Sequence, residues 1–313
     1  MNRVAQSVPK SLPSAELAII GGSDAHLVLP RIGSRSHWSG ALSTPFGLSS
    51  PLHLIHTEEF TFLFLARHGD EGYTLAAPFV NYRANIFAMK ECGVERIVAW
   101  SGPGAIDPNL APGELVVPDD LIDETRRRPS SFYEGTGLGF IRQSPVFCPE
   151  LRSALLSAGS DCLDGCVYVC TEGPRLETPA EIRKYAQYGG QMVGMTLAPE
   201  CFLARELEIC YAPICYISNY AEGVRQRENR PGELFEGLLD AGENARVTNA
   251  VQEVAKCALA ALHIIKDAPR ECTCARAMER YRLSGRVGDD WHTWICDSEF
   301  RIPDSGLGGS EIS

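Results

Sequence analysis

Short apolar runs alternate with amphipathic stretches along most of the chain. The runs ELAIIGG, FTFLFLARHG, ERIVAWSGPGAI, GCVYVCTEGPRLET and CYAPICYISNYAE predict buried strands, most of which lead into a turn. The stretches VNYRANIFAMKECGV, CPELRSALLSAG, TPAEIRKYAQYGG and ARVTNAVQEVAKCALAALHII are apolar at helical spacing. Strands that are apolar throughout need cover on both faces. The alternation therefore predicts an α/β fold with a mixed, mostly parallel sheet flanked by helices.

The same pattern divides the 313 residues into three parts. Residues 1–15 are polar and predict a flexible N-terminus, and residues 16–267 predict a single domain. Residues 268–313 form a more polar C-terminal extension that ends in a Gly/Ser-rich tail, which predicts partial disorder. Two roles are open to this extension: a cap over a binding site and a contact with another subunit.

Composition narrows the classes of partner. The chain has 40 acidic and 29 basic residues, a net charge of -11, which disfavours nucleic acid and anionic membranes. No segment approaches the roughly 18–20 apolar residues of a membrane-spanning helix. The N-terminus also lacks the apolar core of a secretory signal. We therefore expect a cytoplasmic protein that binds neither nucleic acid nor membrane.

The chain contains twelve cysteines, which we interpret as reduced, buried thiols scattered through apolar runs. Cys162 and Cys166 are too widely spaced for a CxxC pair, and no pair of CxxC motifs predicts zinc. No metal site is expected. The CxC of ECTC, formed by Cys272 and Cys274, is either redox-active or a chance spacing in a cysteine-rich chain.

Candidate chemistry collects at the C-terminal ends of the predicted strands, where open α/β sheets bind ligands. The motifs there are GGSD (residues 21–24), RHG (67–69), SGPG (101–104), EGPRLET (172–178), GMT (194–196) and SNY (218–220). They supply glycine turns with exposed N–H groups, several hydroxyls, an arginine and a histidine. Such donors together suit a phosphate group.

These motifs, in this order, resemble the trimeric nucleoside phosphorylases, the family of purine nucleoside phosphorylase and 5'-methylthioadenosine phosphorylase. The resemblance runs from about Ala18 to about Ile265 and rests on IIGGS, ARHG, VNYRANIFAMK, RPSSFYEG, FCPELR, TEGPRLET and VGMTLAPE. It implies one α/β domain with a distorted central sheet, a homotrimer, and phosphorolysis without a metal or cofactor. Inorganic phosphate would be the co-substrate of a small-molecule nucleoside.

The resemblance also assigns roles to individual residues. Phosphate would be bound by Ser23, Arg67, His68, Ser101, Gly102 and Thr196. The ribose would lie near Met195, and the base would contact Leu176, Glu177, Val193 and Asn219. Phe140 falls where the family lends a residue to the neighbouring subunit's site. Catalysis would rest on Asn219, His68 and Arg67.

Two residues predict the base. Asn219 and Glu177 stand where adenosine-specific relatives carry an aspartate and a serine, and Ala221 stands in place of a second aspartate. An asparagine amide donates to O6 of a 6-oxopurine, and an ionised Glu177 accepts from its N1–H. Adenine presents an acceptor at N1 instead. The pair therefore predicts inosine, guanosine or methylthioinosine as substrate.

Several positions depart from the family pattern. Asp24 stands where a glycine is usual, Pro103 removes an N–H beside the phosphate, and Gly72 replaces the histidine of the methylthioadenosine branch. No histidine lies between His68 and His263, so an apolar 5' pocket that suits a methylthio group is expected. The alternatives are a 5'-methylthioadenosine phosphorylase and a nucleoside-binding paralogue without catalysis.

Overall fold

The computed structural model describes residues 12–295 except 29, 31–33, 160, 229 and 233–236. The strands are β1 Leu17–Gly21, β2 Ser34–Gly40, β3 Ser43–Thr44, β4 Gly47–Leu48, β5 Leu52–His56, β6 Thr61–Ala66, β7 Arg96–Ser101, β8 Gly104–Ala105, β9 Leu115–Val117, β10 Asp120–Glu124, β11 Leu163–Asp164, β12 Val167–Thr171, β13 Met192–Gly194, β14 Cys210–Tyr216 and β15 Asn219–Tyr220.

The helices lie between these strands and after them. They are α1 Ala25–Val28, α2 Tyr82–Glu91, α3 Pro149–Ala158, α4 Pro179–Gln187, α5 Leu197–Glu206, α6 Ala241–Ile265 and α7 Glu279–Leu283. Short 3-10 turns span Ala77–Phe79, Thr273–Arg276 and Trp291–Trp294. Both α4 and α6 begin with a capping box, at Thr178 and Asp240, which satisfies N–H groups of the first turn.

Two sheets form the centre of the molecule. The larger has eight strands in the order β11-β9-β14-β7-β1-β6-β5-β2, and the smaller has five in the order β10-β12-β13-β8-β15. Strands β6, β1, β7 and β14 are parallel neighbours. Antiparallel pairs join β14 to β9, β5 to β6, β2 to β5, and β13 to β8. The predicted mixed, mostly parallel sheet flanked by helices is confirmed.

The core explains the apolar runs. All residues of β1, β7 and β14 are buried, because these strands are central and covered on both faces. The four parallel strands end at one edge of the sheet, and this places the segments that begin at Gly22, Arg67, Gly102 and Ile217 together. These segments are far apart along the chain and meet only in the folded structure.

The structure differs from the predicted elements in three places. The stretch VPDDLID, whose acidic residues favour a turn, instead leads into strand β10, because it pairs with β12. Residues 34–56, for which no element was predicted, contribute strands at the edge of the sheet. The strand predicted over CYAPICYISNYAE ends at Tyr216 and resumes in the second sheet as β15.

The described part of the C-terminal extension, residues 268–295, packs on the domain. Met278 and Trp294 are buried, and Glu208 accepts hydrogen bonds from the backbone N–H of Met278 and from Arg282. The predicted flexible N-terminus and disordered tail fall largely outside the described residues. Among the described helices, none has the length and apolarity needed to span a membrane.

Four cysteines contradict the expectation of scattered thiols. Cys148, Cys210, Cys272 and Cys274 are all buried, and their Sγ atoms lie within 4.8 Å of one another. The residues come from α3, β14 and the extension, so local spacing in the sequence did not reveal the cluster. The predicted burial of the cysteines holds for these four.

Candidate active site

A cavity of about 460 Å³ opens at the C-terminal ends of the strands, a volume typical of small-molecule sites. Its lining contains ten of the twelve predicted site residues. These are Ser23, His68, Ser101, Gly102, Leu176, Glu177, Val193, Met195, Thr196 and Asn219. Arg67 and Phe140 do not line it. The cavity therefore brings the predicted phosphate and purine residues into one space.

Hydroxyl groups cluster on the side of the cavity that is predicted to bind phosphate. Ser101 Oγ lies 3.2 Å from Thr196 Oγ1 and 3.1 Å from Tyr168 Oη. Gly22 allows the backbone to pass closely here, because a Cβ on it would lie 2.6 Å from the carbonyl oxygen of Trp100. The result is a wall of hydroxyl and backbone donors without a bulky side chain, as an anion site requires.

His68 is held in one tautomer. Its Nδ1 lies 2.7 Å from the carbonyl oxygen of Leu75, which can only accept, so Nδ1 carries the proton. Burial and the charge of Arg67 lower the pKa of His68 to about 4. The ring is thus neutral at neutral pH and presents Nε2 as an acceptor. It stacks on Tyr73 with ring centroids 4.3 Å apart.

Arg67 lies behind the cavity wall. It is completely buried and donates to both carboxylate oxygens of Glu200, at 2.7 Å from Nε and 2.6 Å from Nη2. Burial alone would lower the pKa of Arg67, but the charge and hydrogen bonds of Glu200 raise it, so the guanidinium stays charged. Its Nη1 donates to the carbonyl of Trp100 and lies beside Gly22. Arg67 therefore lies beneath the wall as one half of a buried ion pair, with Nη1 beside Gly22.

Glu177 lines the side of the cavity that is predicted to bind the purine, and it is 8% exposed. Burial raises its pKa, although a 2.5 Å hydrogen bond from Thr171 Oγ1 opposes the shift. Protonation of this carboxyl therefore costs less free energy than protonation of an exposed glutamate.

Asn219 has a fixed amide. Its Nδ2 donates to the carbonyl of Tyr220 at 2.8 Å, and its Oδ1 accepts from Ser218 Oγ at 2.6 Å. Rotation of the amide would set Oδ1 against the Tyr220 carbonyl, where two acceptors repel. Because an amide has two N–H groups, one remains to donate into the cavity. Asn219 is a more rigid donor than the sequence alone suggests.

Phe140 lies away from the cavity of its own chain. Its ring is 81% exposed, with Arg280 stacked on it at 5.2 Å, and its backbone N–H donates to Tyr281 Oη.

Sequence reasoning missed several cavity residues. Tyr73, Ala77, Leu238 and Val247 add apolar walls, and Tyr216 lies against Gly102. Arg128 was also missed as a positioning residue; it donates to the carbonyls of Thr171, Glu172, Met195 and Ala198. Its place in RPSSFYEG was the one signal that could have indicated it. The apolar residues come from loops and α6, where no local pattern marks a cavity.

The family follows from residues 16–265, which match the model of the phosphorylase superfamily. The chain belongs to this superfamily, and the resemblance read from its motifs is confirmed. A probable S-methyl-5'-thioinosine phosphorylase of Methanothermobacter thermautotrophicus is 42% identical over 228 residues, 73% of this chain and 79% of the relative. The 6-oxopurine nucleoside phosphorylase of Pyrococcus furiosus is 38% identical over 275 residues, 84% and 97% of the two chains.

A solved structure has the same fold. The crystal structure of a methylthioadenosine phosphorylase from an antarctic soil metagenomic library superimposes with a TM-score of 0.74 at 29% identity. The match covers 84% of this chain and 91% of that chain.

Proposed function

We propose that this protein uses inorganic phosphate to cleave the N-glycosidic bond of a 6-oxopurine nucleoside, giving the free base and a pentose 1-phosphate. The observation that carries the proposal is the presence of Glu177 and Asn219 in the same cavity as the hydroxyl cluster of Ser101 and Thr196. The first pair suits a 6-oxopurine, and the second suits phosphate.

Phosphate binds to hydroxyl and backbone donors in this proposal. Ser23, Ser101 and Thr196 donate from their side chains, and Gly102 donates from its backbone. His68 Nε2 accepts from a protonated phosphate oxygen, because its Nδ1 proton is already given to Leu75. Arg67 favours the anion electrostatically from behind Gly22. No metal or cofactor enters the proposed reaction.

Displacement at C1' follows from this arrangement. The ribose gains oxocarbenium character as the glycosidic bond lengthens, and the bound phosphate stabilises that charge before it attacks. Negative charge grows on the purine at the same time, and the fixed N–H of Asn219 donates to O6 or N7. Glu177 accepts from N1–H and fixes the base. These groups act through position and electrostatics.

The 5' substituent is assigned from the cavity's apolar residues. Tyr73, Ala77, Leu238 and Val247 line the cavity, and His68 is the only histidine among its described lining residues. A methylthio group gains free energy by leaving water for such surroundings, whereas a 5'-hydroxyl needs a polar partner. We therefore propose S-methyl-5'-thioinosine as the preferred substrate. The name of the Methanothermobacter relative supports this choice.

A 5'-methylthioadenosine phosphorylase is the second candidate. The raised pKa of Glu177 favours it, because a protonated Glu177 donates to N1 of adenine. The name of the structurally similar antarctic enzyme supports it as well. The fixed donor of Asn219 opposes it, because the adenine amino group is also a donor.

Assembly and cellular role are also part of the proposal. The resemblance supports a homotrimer in which Phe140, whose side chain is exposed, reaches a neighbouring site. A role in purine salvage in the cytoplasm accords with a small-molecule substrate and an acidic surface.

A substrate panel tests the proposed function. Inosine, guanosine, methylthioinosine, adenosine and methylthioadenosine are each incubated with the protein, with and without phosphate. We expect cleavage only with phosphate, and kcat/KM values for inosine-type substrates at least about 100-fold above those for adenosine-type ones. Cleavage without phosphate would indicate a hydrolase, a preference for methylthioadenosine would select the second candidate, and binding without turnover would indicate a non-catalytic paralogue.

A further inference from the structure

Four buried thiols meet outside the cavity. They belong to Cys148 at the start of α3, Cys210 at the start of β14, and Cys272 and Cys274 in the extension. The Sγ atoms all lie within 4.8 Å of one another, and those of Cys210 and Cys272 are 3.4 Å apart. None of the four lines the candidate active site.

The size of the cluster fits one tetrahedral ion. Zinc binds four cysteine sulfurs at about 2.3 Å, which sets neighbouring sulfurs about 3.8 Å apart in a tetrahedron. The observed spacings bracket that value. A closed set of four thiolates without an open position is typical of structural rather than catalytic zinc. Chance burial of thiols does not require all four to converge from three distant segments.

The surroundings favour negative charge on the sulfurs. Cys148 is the N-cap residue of the ten-residue helix α3, so the positive end of the helix dipole faces the cluster. Arg270 Nε is buried without a hydrogen-bond partner, and its guanidinium interacts with Cys210. Glu150, in the first turn of α3, brings a negative charge near the cluster, and its Oε1 accepts from the backbone N–H of Glu271 at 2.8 Å.

We propose that Cys148, Cys210, Cys272 and Cys274 bind one structural Zn²⁺ ion as a tetrathiolate. Each thiol that binds the ion loses its proton to solvent, and no oxidation or reduction is involved. The bound site carries a net charge of -2, which Arg270 and the start of α3 partly offset. In this proposal the two cysteines of the CxC motif are two of the four zinc ligands.

The ion would fasten the extension to the domain. Residues 268–295 otherwise depend on noncovalent contacts, such as those of Glu208 with Met278 and Arg282. Tyr281 lies in the same extension and accepts from the backbone N–H of Phe140. Loss of zinc would therefore loosen the extension first and the loop of Phe140 with it, while the hydroxyl cluster of the cavity stays in place.

Elemental analysis tests the proposal on the full-length protein purified without chelator. We expect one zinc per chain, four sulfur neighbours at about 2.3 Å by X-ray absorption, and tetrahedral tetrathiolate absorption after Co²⁺ replaces zinc. The double variant Cys272→Ser/Cys274→Ser should lose the zinc and lower Tm by roughly 5 °C or more. The control variant Cys166→Ser changes a thiol outside the cluster, so it should keep the zinc and the wild-type Tm.

Three results would overturn the proposal. They are wild-type protein whose four thiols titrate freely with no metal bound, protein in which these thiols are paired as disulfides, and protein that binds iron in place of zinc. If the double variant does not fold, the wild type still decides the question. Thiol modification of the wild type should release one zinc per chain, and absence of that release would contradict the site.

Discussion

At the scale of single residues, the proposed base selectivity would depend on the protonation of Glu177. Its raised pKa means that the protonated fraction grows as pH falls through a range above the usual value for a glutamate. In the proposed site the protonated carboxyl would donate to N1 of adenine, and its remaining carbonyl oxygen would be a weaker acceptor than a carboxylate for N1–H of a 6-oxopurine. The proposed base contact would therefore be coupled to pH at one carboxyl group.

We expect the ratio of kcat/KM for inosine to that for adenosine to fall as pH is lowered from neutrality. Steady-state kinetics across the pH range measures this ratio. Glu177→Gln is the matched control, because its amide does not titrate; it should lower the ratio and make it independent of pH. A wild-type ratio that is constant or rises towards acid pH would contradict the role of Glu177.

Asn219 and Glu177 should act together on the choice of base. Asn219→Asp replaces the fixed donor with an acceptor for the adenine amino group and should narrow the preference for inosine-type substrates. Adding Glu177→Ser should narrow this preference further. Each 1.4 kcal/mol of lost discrimination lowers the ratio of the two kcat/KM values by roughly tenfold. Kinetics with the five-nucleoside panel measures both steps. Variants that keep the wild-type ratio would show that neither residue reads the base.

Asp24 places a carboxylate beside the proposed phosphate site. It lines the cavity next to Ser23 and has a left-handed backbone conformation, with φ of 61°. Asp24→Asn removes the charge and tolerates this conformation, so the KM for phosphate should fall about fivefold, the effect of roughly 1 kcal/mol of repulsion. Glu222→Gln removes another acidic charge from the cavity lining and should leave this KM unchanged. If both variants lower the KM for phosphate equally, the effect would come from the net charge of the protein and not from repulsion between Asp24 and phosphate.

At the scale of elements, Arg67 and Glu200 join the end of β6 to helix α5. Both side chains are buried, and Tyr211 Oη also donates to Glu200, at 2.7 Å. Removing one partner leaves a buried charge unpaired, which costs about 3–5 kcal/mol, whereas removing both costs much less. The pair therefore has a structural role besides its proposed electrostatic role towards phosphate.

Arg67→Met should lower the free energy of unfolding by about 3–5 kcal/mol and also reduce kcat/KM for phosphate. The double variant Arg67→Met/Glu200→Gln should recover most of the stability but not the activity. Chemical denaturation and steady-state kinetics measure the two effects separately. Recovery of activity together with stability would show that Arg67 acts only through the fold.

At the scale of the whole molecule, the exposed ring of Phe140 predicts assembly. If the ring completes a neighbouring cavity, the active species is a closed ring of three chains, and light scattering should give that mass. Phe140→Ala should raise the KM for the nucleoside several-fold, the effect of losing roughly 1 kcal/mol of ring contact. Leu283→Ala removes an equally exposed apolar side chain and should not change KM. A fully active monomer would refute the assembly and the role of Phe140.

The sequence by itself determined the alternation of strands and helices and most of the cavity lining. Apolar periodicity is local, and parallel strands deliver their C-terminal residues to one edge of the sheet. Motifs such as GGSD and SGPG can therefore be assigned to one site from their positions after apolar runs. The base roles proposed for Glu177 and Asn219 come instead from the family resemblance, and position along the chain places both residues near the same edge.

Only the tertiary structure decided how distant side chains pair. The burial of Arg67 against Glu200 joins residues 133 positions apart, and the four clustered cysteines come from segments that no spacing rule connects. The raised pKa of Glu177, the tautomer of His68 and the fixed amide of Asn219 likewise depend on burial and on neighbouring carbonyls. Such properties arise from long-range packing, which a one-dimensional pattern does not contain.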